Sequence, residues 1–210
     1  MAVYRVTSPD GAIYEVTAPD DADEQEVLAR AQAFHAQTAA AGPAPPAASG
    51  GPGSAPVLGA WPSGNTVLFQ YGDGTYQTRT GGDPNWRNNN PGNMVYGPAS
   101  RASGAVGTDP QTPNGFAIFP DEAAGFRAVI NDLKSPQYQA MTIGQAIRTW
   151  APPNDNNTAA YQAFVSHALG LPIETPMNRL SPQQLDSMGR AIQHFEGQAQ
   201  GTALYWPAPY

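Results

Sequence analysis

Cysteine is absent from the 210 residues. That excludes disulfide frameworks, thiolate metal sites and thiol nucleophiles, and leaves a fold that must hold in any redox compartment. Lysine is nearly absent too, with Lys134 alone beside nine arginines and a formal net charge of −7. No basic stripe can be assembled to neutralise phosphates or anionic lipid, so nucleic acid is not an expected partner. Long apolar runs are missing, which excludes a spanning helix, and no basic segment leads into an apolar one at the N-terminus, so no signal peptide is read. Charged residues make up only 13% and apolar residues 40%. Gly and Pro, 22 of each, are well above the roughly 12% they jointly contribute to ordinary chains. Four Trp, nine Tyr and seven Phe nevertheless exceed what a disordered chain carries. One packed domain with less ordered additions is expected.

Residues 1–37 read as a ββα module. Val3, Arg5 and Thr7 alternate with Tyr4 and Val6, Ser8-Pro9-Asp10-Gly11 supplies a turn, and Ile13–Thr17 forms the return strand. The acids Asp21, Asp23, Glu24 and Glu26 then precede Val27–Phe34, as suits a helix N-terminus. Its apolar surface is too small for much stability alone, which suggests docking. Residues 38–60 are nearly all Ala, Pro, Gly and Ser and read as a linker. Residues 61–210 form the main domain, opening with a hairpin in which Thr66–Gln70 and Thr75–Arg79 flank an Asp73-Gly74 turn.

From Gly81 to Gly115 the chain is crowded with Asn, Gly and Pro and reads as loop. Four helices follow. The first, 121–134, gathers Phe126, Val129, Ile130 and Leu133 on one face. The second, 142–150, opens on a Thr142/Gln145 capping box, and the third runs from near Asn157 to Gly170. The fourth has Ser181 as cap, Pro182 at its first position and Gln184 as box partner, and its stripe is Leu185, Met188, Ile192 and Phe195. The expected class is α+β, helix-dominated with a small β-hairpin element.

Glu196 continues that stripe, within roughly 20° of Leu185 and about 40° of Ile192 at ~100° per residue. A carboxylate there is partly buried. It also precedes Gly197, at the negative end of the helix dipole, and both effects raise its pKa toward what a general acid needs. Glu122 sits at the opposite end of its helix, where the dipole favours the anion, and reads as a cap. His35, His167 and His194 read as solvated, and no zinc-hydrolase spacing occurs. The Asn-Asp-Asn-Asn run at 154–157 lacks the spacing of a calcium loop and reads as a helix cap. No metal and no cofactor are expected.

Several segments carry a resemblance. The stretch Thr78-Arg79-Thr80-Gly81-Gly82, then Trp86-Arg87-Asn88-Asn89-Asn90-Pro91-Gly92-Asn93, Gly104–Gly107, Phe116–Pro120, Thr142-Ile143, Trp150-Ala151-Pro152-Pro153-Asn154-Asp155-Asn156 and Ala191–Gly197 together resemble the RNNNPGN-containing domain of phage virion and related secreted proteins. The likeness covers roughly residues 75–198. It implies a lysozyme-like or lytic-transglycosylase-like fold and cleavage of the peptidoglycan bond between N-acetylmuramic acid and N-acetylglucosamine, with Glu196 as the acid. It implies a virion protein acting at the bacterial cell wall or periplasm, with residues 1–37, which resemble short modules of phage ejection and tail proteins, contacting other virion proteins. Only GQAQGTALYWPAPY follows Glu196, so the β element of the cleft is expected from earlier in the chain.

Chemistry suggests further cleft residues. Asn88, Asn89, Asn90 and Asn93 offer amides for N-acetyl and hydroxyl groups, Trp86, Tyr96, Trp150 and Tyr161 offer faces for sugar rings, and Arg87 suits a peptide carboxylate. Asp83 and Asp109 are the nearest second carboxylates, although an N-acetyl-assisted reaction needs only one Glu. Two other readings remain: a non-enzymatic virion structural or ejection protein, and a murein-binding targeting module.

Overall fold

The computed structural model describes residues 2–7, 13–18, 55–153, 157–197 and 199–206. The helix read after Asp20, His35, most of the linker and the 154–156 part of the Asn-rich run lie outside the described residues. Strands β1 (Ala2–Thr7) and β2 (Ile13–Ala18) pair antiparallel, with Ala2 opposite Ala18 and Thr7 opposite Ile13. This hairpin belongs to the first of two compact units, and the second spans residues 47–207.

The second unit is α+β. Its sheet has the order β3-β4-β5-β8, all neighbours antiparallel: β3 (Val57–Ser63), β4 (Thr66–Tyr71), β5 (Tyr76–Thr80) and β8 (Thr202–Trp206). The hairpin read around Asp73-Gly74 is β4β5, where Asp73 Oδ1 accepts from the Thr75 backbone N–H at 2.9 Å and Gly74 takes φ +83°. The strand period of two places Val67, Phe69 and Tyr71 of β4 on the buried face, against Ala60 and Ile118. Two strands of this sheet were not anticipated. β3 begins inside the stretch read as linker, because Val57–Ser63 finds a partner in β4 despite its Gly and Pro. β8 comes from the tail, where Tyr205 lies opposite Gln77 and Leu204 opposite Thr78. The β element is therefore assembled from both sides of Glu196, three strands before it and one after.

The stretch read as loop also contains structure: two short helices, α1 (Pro84–Arg87) and α2 (Pro98–Ala102), and a small ladder, β6 (Gly107–Asp109) with β7 (Phe116–Ile118). The four expected helices form as α3 (Glu122–Leu133), α5 (Ile143–Trp150), α6 (Thr158–Leu169) and α7 (Pro182–Phe195), with a short α4 (Pro136–Gln139) between the first two. Both capping boxes close: Thr142 with Gln145, and Ser181 with Gln184. Asn157 caps α6, its Oδ1 accepting from the Ala160 N–H at 3.1 Å. At α3 the cap is Asp121, not Glu122, because Asp121 Oδ1 reaches the Ala124 N–H at 2.6 Å while Glu122 accepts instead from Gln193 Nε2 at 2.7 Å. Val129, Leu133, Ile147, Tyr161, Val165, Met188 and Ile192 are among the buried side chains of one helical core. None of the described helices is long and apolar enough to cross a membrane.

Candidate active site

The RNNNPGN stretch is bolted into the fold. Asn90 is fully buried; its Nδ2 donates to the Met94 and Ala117 carbonyls at 2.8 and 2.9 Å, and its Oδ1 accepts from the Met94 N–H at 2.9 Å. Asn89 Nδ2 donates to the Phe119 carbonyl, and Asn88 Nδ2 to Asp109 Oδ2. Arg87 donates to the carbonyls of Gly81 and Gly82 and lies 3.8 Å from Asp109. Most polar atoms of these four buried side chains tie α1 to β6β7 and to the turn after β5; Arg87 Nε and the Oδ1 atoms of Asn88 and Asn89 stay buried without a partner, and Asn89 also lines a small recess. Asn is required twice for its backbone as well, since Asn89 and Asn93 take φ of +53° and +49°. A glycine completes the seat: a Cβ on Gly125 of α3 would fall onto the Asn89 carbonyl.

The loop delivers Asn93 to Glu196. Glu196 caps α7 at its C-terminus, and Gly197 turns the chain away at φ +92°. The half-buried carboxylate accepts from Asn93 Nδ2 at 2.9 Å on Oε2 and from the Tyr161 hydroxyl at 3.0 Å on Oε1. Burial raises its pKa above the ordinary carboxylate range; the two donated hydrogen bonds act in the other direction without cancelling it. Asn93 Oδ1 is buried and unpartnered. Rotation of that amide offers an acceptor to the protonated acid, so one side chain can serve either protonation state. Tyr161 is held by stacking on Phe195, ring centroids 3.9 Å apart. Burial and the neighbouring Glu196 push the Tyr161 hydroxyl well above its usual pKa, keeping it a donor.

The remaining candidates divide. Trp150 packs over Gly92, where a Cβ would come within 2.6 Å of its ring, and lies 6.0 Å from the Tyr138 ring, so its role is to seat the loop. Trp86 is half-buried under the Arg79 guanidinium at 5.1 Å. Tyr96 is exposed, with Arg101 over its ring at 5.9 Å. Of the two second carboxylates, Asp109 is fully buried against Arg87 and Asn88 and is out of a substrate's reach. Asp83 lies against the backbone just after Glu196: its Oδ2 accepts from the Ala199 N–H at 2.7 Å, and a Cβ on Gly197 would come within 2.7 Å of it. His167 and His194 are exposed, and His194 stacks on Phe164 at 5.3 Å. Among the described residues no three His, Asp or Glu side chains converge as a metal site.

Two residues near this site escaped the sequence reading. Phe195 reads as the last core position of α7 but is 36% exposed and lies beside the acid. Arg79 reads as a strand residue, and only the register of β5 against β4 and β8 turns it inward. Compared with family models and with curated proteins, the chain matches none.

Proposed function

We propose that the protein cleaves peptidoglycan glycan strands between N-acetylmuramic acid and N-acetylglucosamine, in the manner of a lysozyme or lytic transglycosylase, with Glu196 as general acid. One observation carries this reading: a half-buried carboxylate with a raised pKa at a helix C-terminus, oriented through both oxygens by Asn93 and Tyr161. A carboxyl group whose pKa is raised keeps its proton to higher pH and can donate it to the glycosidic oxygen as the C1–O bond breaks. The carboxylate left behind then takes a proton from the incoming hydroxyl. That hydroxyl is water in hydrolysis or the O6 hydroxyl of the same muramic sugar in an anhydro-forming reaction. The substrate's own N-acetyl oxygen can stabilise the cationic C1, which removes the need for a second enzyme carboxylate.

The RNNNPGN and WAPPNDN segments support the same reading by resemblance, and with it a lysozyme-like fold and a setting in a phage virion acting on the host wall. Residues 1–37 are proposed to contact other virion proteins. Glu196→Gln is expected to lower release of dye-labelled murein fragments by about 10²–10⁴-fold, with circular dichroism unchanged. Full activity in that variant would falsify the assignment. A non-enzymatic virion protein is the second reading, and it has one observation of its own: Asn93 and Tyr161 already satisfy both Glu196 oxygens without a ligand.

A further inference from the structure

Arg79 is a partly buried cation that Glu122 stabilises electrostatically without forming an ion pair with it. Its Nη1 donates to the Trp86 carbonyl at 2.7 Å, its Nε is buried with no acceptor, and it makes no ion pair among the described residues. The guanidinium lies between the rings of Phe69 and Trp86, at 5.9 and 5.1 Å. It forms part of the wall of two recesses, one of about 550 Å³ against the sheet and one of about 60 Å³ lined by α1, α3 and α7 residues. A partly desolvated guanidinium that is neither paired nor fully bonded is costly unless something occupies it.

The surroundings narrow what that something is. Asp121 lines the larger recess and Glu122 the smaller. Asp121 Oδ1 is committed to the α3 cap and Glu122 Oε1 to Gln193, and the second oxygen of each carboxylate makes no hydrogen bond among the described residues. A dianion such as phosphate would meet Arg79 but be repelled by both acids. A neutral sugar would bring no acceptor of opposite charge to the guanidinium. A group that carries a carboxylate and an ammonium a few atoms apart can meet Arg79 and Asp121, which line the same recess. The larger recess adds Tyr71 and Tyr205, centroids 6.5 Å apart, as a wall for the connecting carbons.

Resting on the glycan-cleavage reading above, we infer that this groove binds the zwitterionic end of a peptidoglycan stem peptide, its carboxylate on Arg79 and its free ammonium on Asp121. The preferred substrate is then peptide-bearing, uncrosslinked glycan and not denuded strands.

The test is calorimetric titration of the full chain with four soluble ligands: a disaccharide-tetrapeptide with free ammonium and carboxylates, its C-terminal amide, its N-acetylated form, and the peptide-free disaccharide. The wild type is expected to bind the first about tenfold more tightly than the others, the size of one charge-assisted contact. Arg79→Gln should erase the distinction between acid and amide. Asp121→Asn keeps the helix cap, because Asn caps as well as Asp, and should erase only the preference for free ammonium. Equal affinity of the wild type for all four, or unchanged preferences in Asp121→Asn, overturns the inference. Murein release that depends on Glu196 is scored separately, so the groove can fail while the glycan-cleavage reading stands, and loss of both binding and release overturns the two together.

Discussion

At the scale of single residues, three side chains define the site, and their opposing effects make distinct forecasts. The Tyr161 hydroxyl stabilises the ionised form of Glu196, while burial favours the protonated form and prevails. Tyr161→Phe removes one ion-stabilising bond and therefore raises the Glu196 pKa further. Because an acid catalyst is lost when it ionises, the falling, alkaline limb of the pH–rate profile is expected to move to higher pH. A limb that stays in place or moves down would show that Glu196 is not the group titrating. Stability supplies an independent readout. A carboxylate whose folded pKa lies above its unfolded value destabilises the fold as pH rises from the unfolded value through the folded one. Glu196→Gln has no such penalty, and Asn93 Oδ1 is free to accept from the new amide. The variant should thus melt above the wild type at neutral pH, with the gap closing below the ordinary carboxylate range, in differential scanning calorimetry across pH 3 to 8 as the measured window, roughly that over which perturbed carboxylates titrate. A gap that is constant with pH would contradict the electrostatic account.

Elements explain what was legible and what was not. The helices could be read because their signals are local: the Thr142/Gln145 and Ser181/Gln184 boxes and the α7 stripe sit within a few residues of the bonds they make. Glu196 was legible for the same reason, since the stripe and Gly197 fix its face and its helix end. The Asn residues of 88–90 were not, because an amide suited to a sugar is equally suited to a buried carbonyl. Only the partners Ala117, Phe119 and Asp109, about 20 to 30 positions away, decide between them. Asn90 makes the sharpest case. Asn90→Ala leaves the Met94 N–H and the Ala117 carbonyl without the Asn90 amide, while the Met94 carbonyl keeps the Ala117 N–H, and is expected to cost about 2–4 kcal/mol, read as a lower midpoint in denaturant. A loss below about 0.5 kcal/mol, the range of ordinary surface changes, would return Asn90 to the pool of ligand-binding residues.

For the whole second unit, the decisive feature is that the chain returns past Glu196 to finish the sheet. After Gly197 the backbone is clamped to the turn following β5, with the Asp83 N–H donating to the Ala199 carbonyl at 2.8 Å and Asn85 Nδ2 to the Gly197 carbonyl. A Cβ on Gly201 would strike the Thr80 carbonyl, so the approach of β8 to β5 requires glycine there. Pairing at this range depends on register, and composition gave no hint that a tail ending in Tyr and Trp would be a strand. The same pairing turns Arg79 and Tyr205 to one face of the sheet, which is why the groove was invisible in a linear reading while the acid was not. The sheet, α1 and the end of α7 thereby meet where the chain leaves Glu196.

That reading is tested most directly by mass spectrometry of the soluble fragments released from purified murein by the wild-type chain and by Glu196→Gln. The account predicts disaccharide-peptides cut at N-acetylmuramic acid, with reducing or 1,6-anhydro ends, from the wild type and none from the variant. No fragments from a folded wild type, or the same fragments from both proteins, would contradict it.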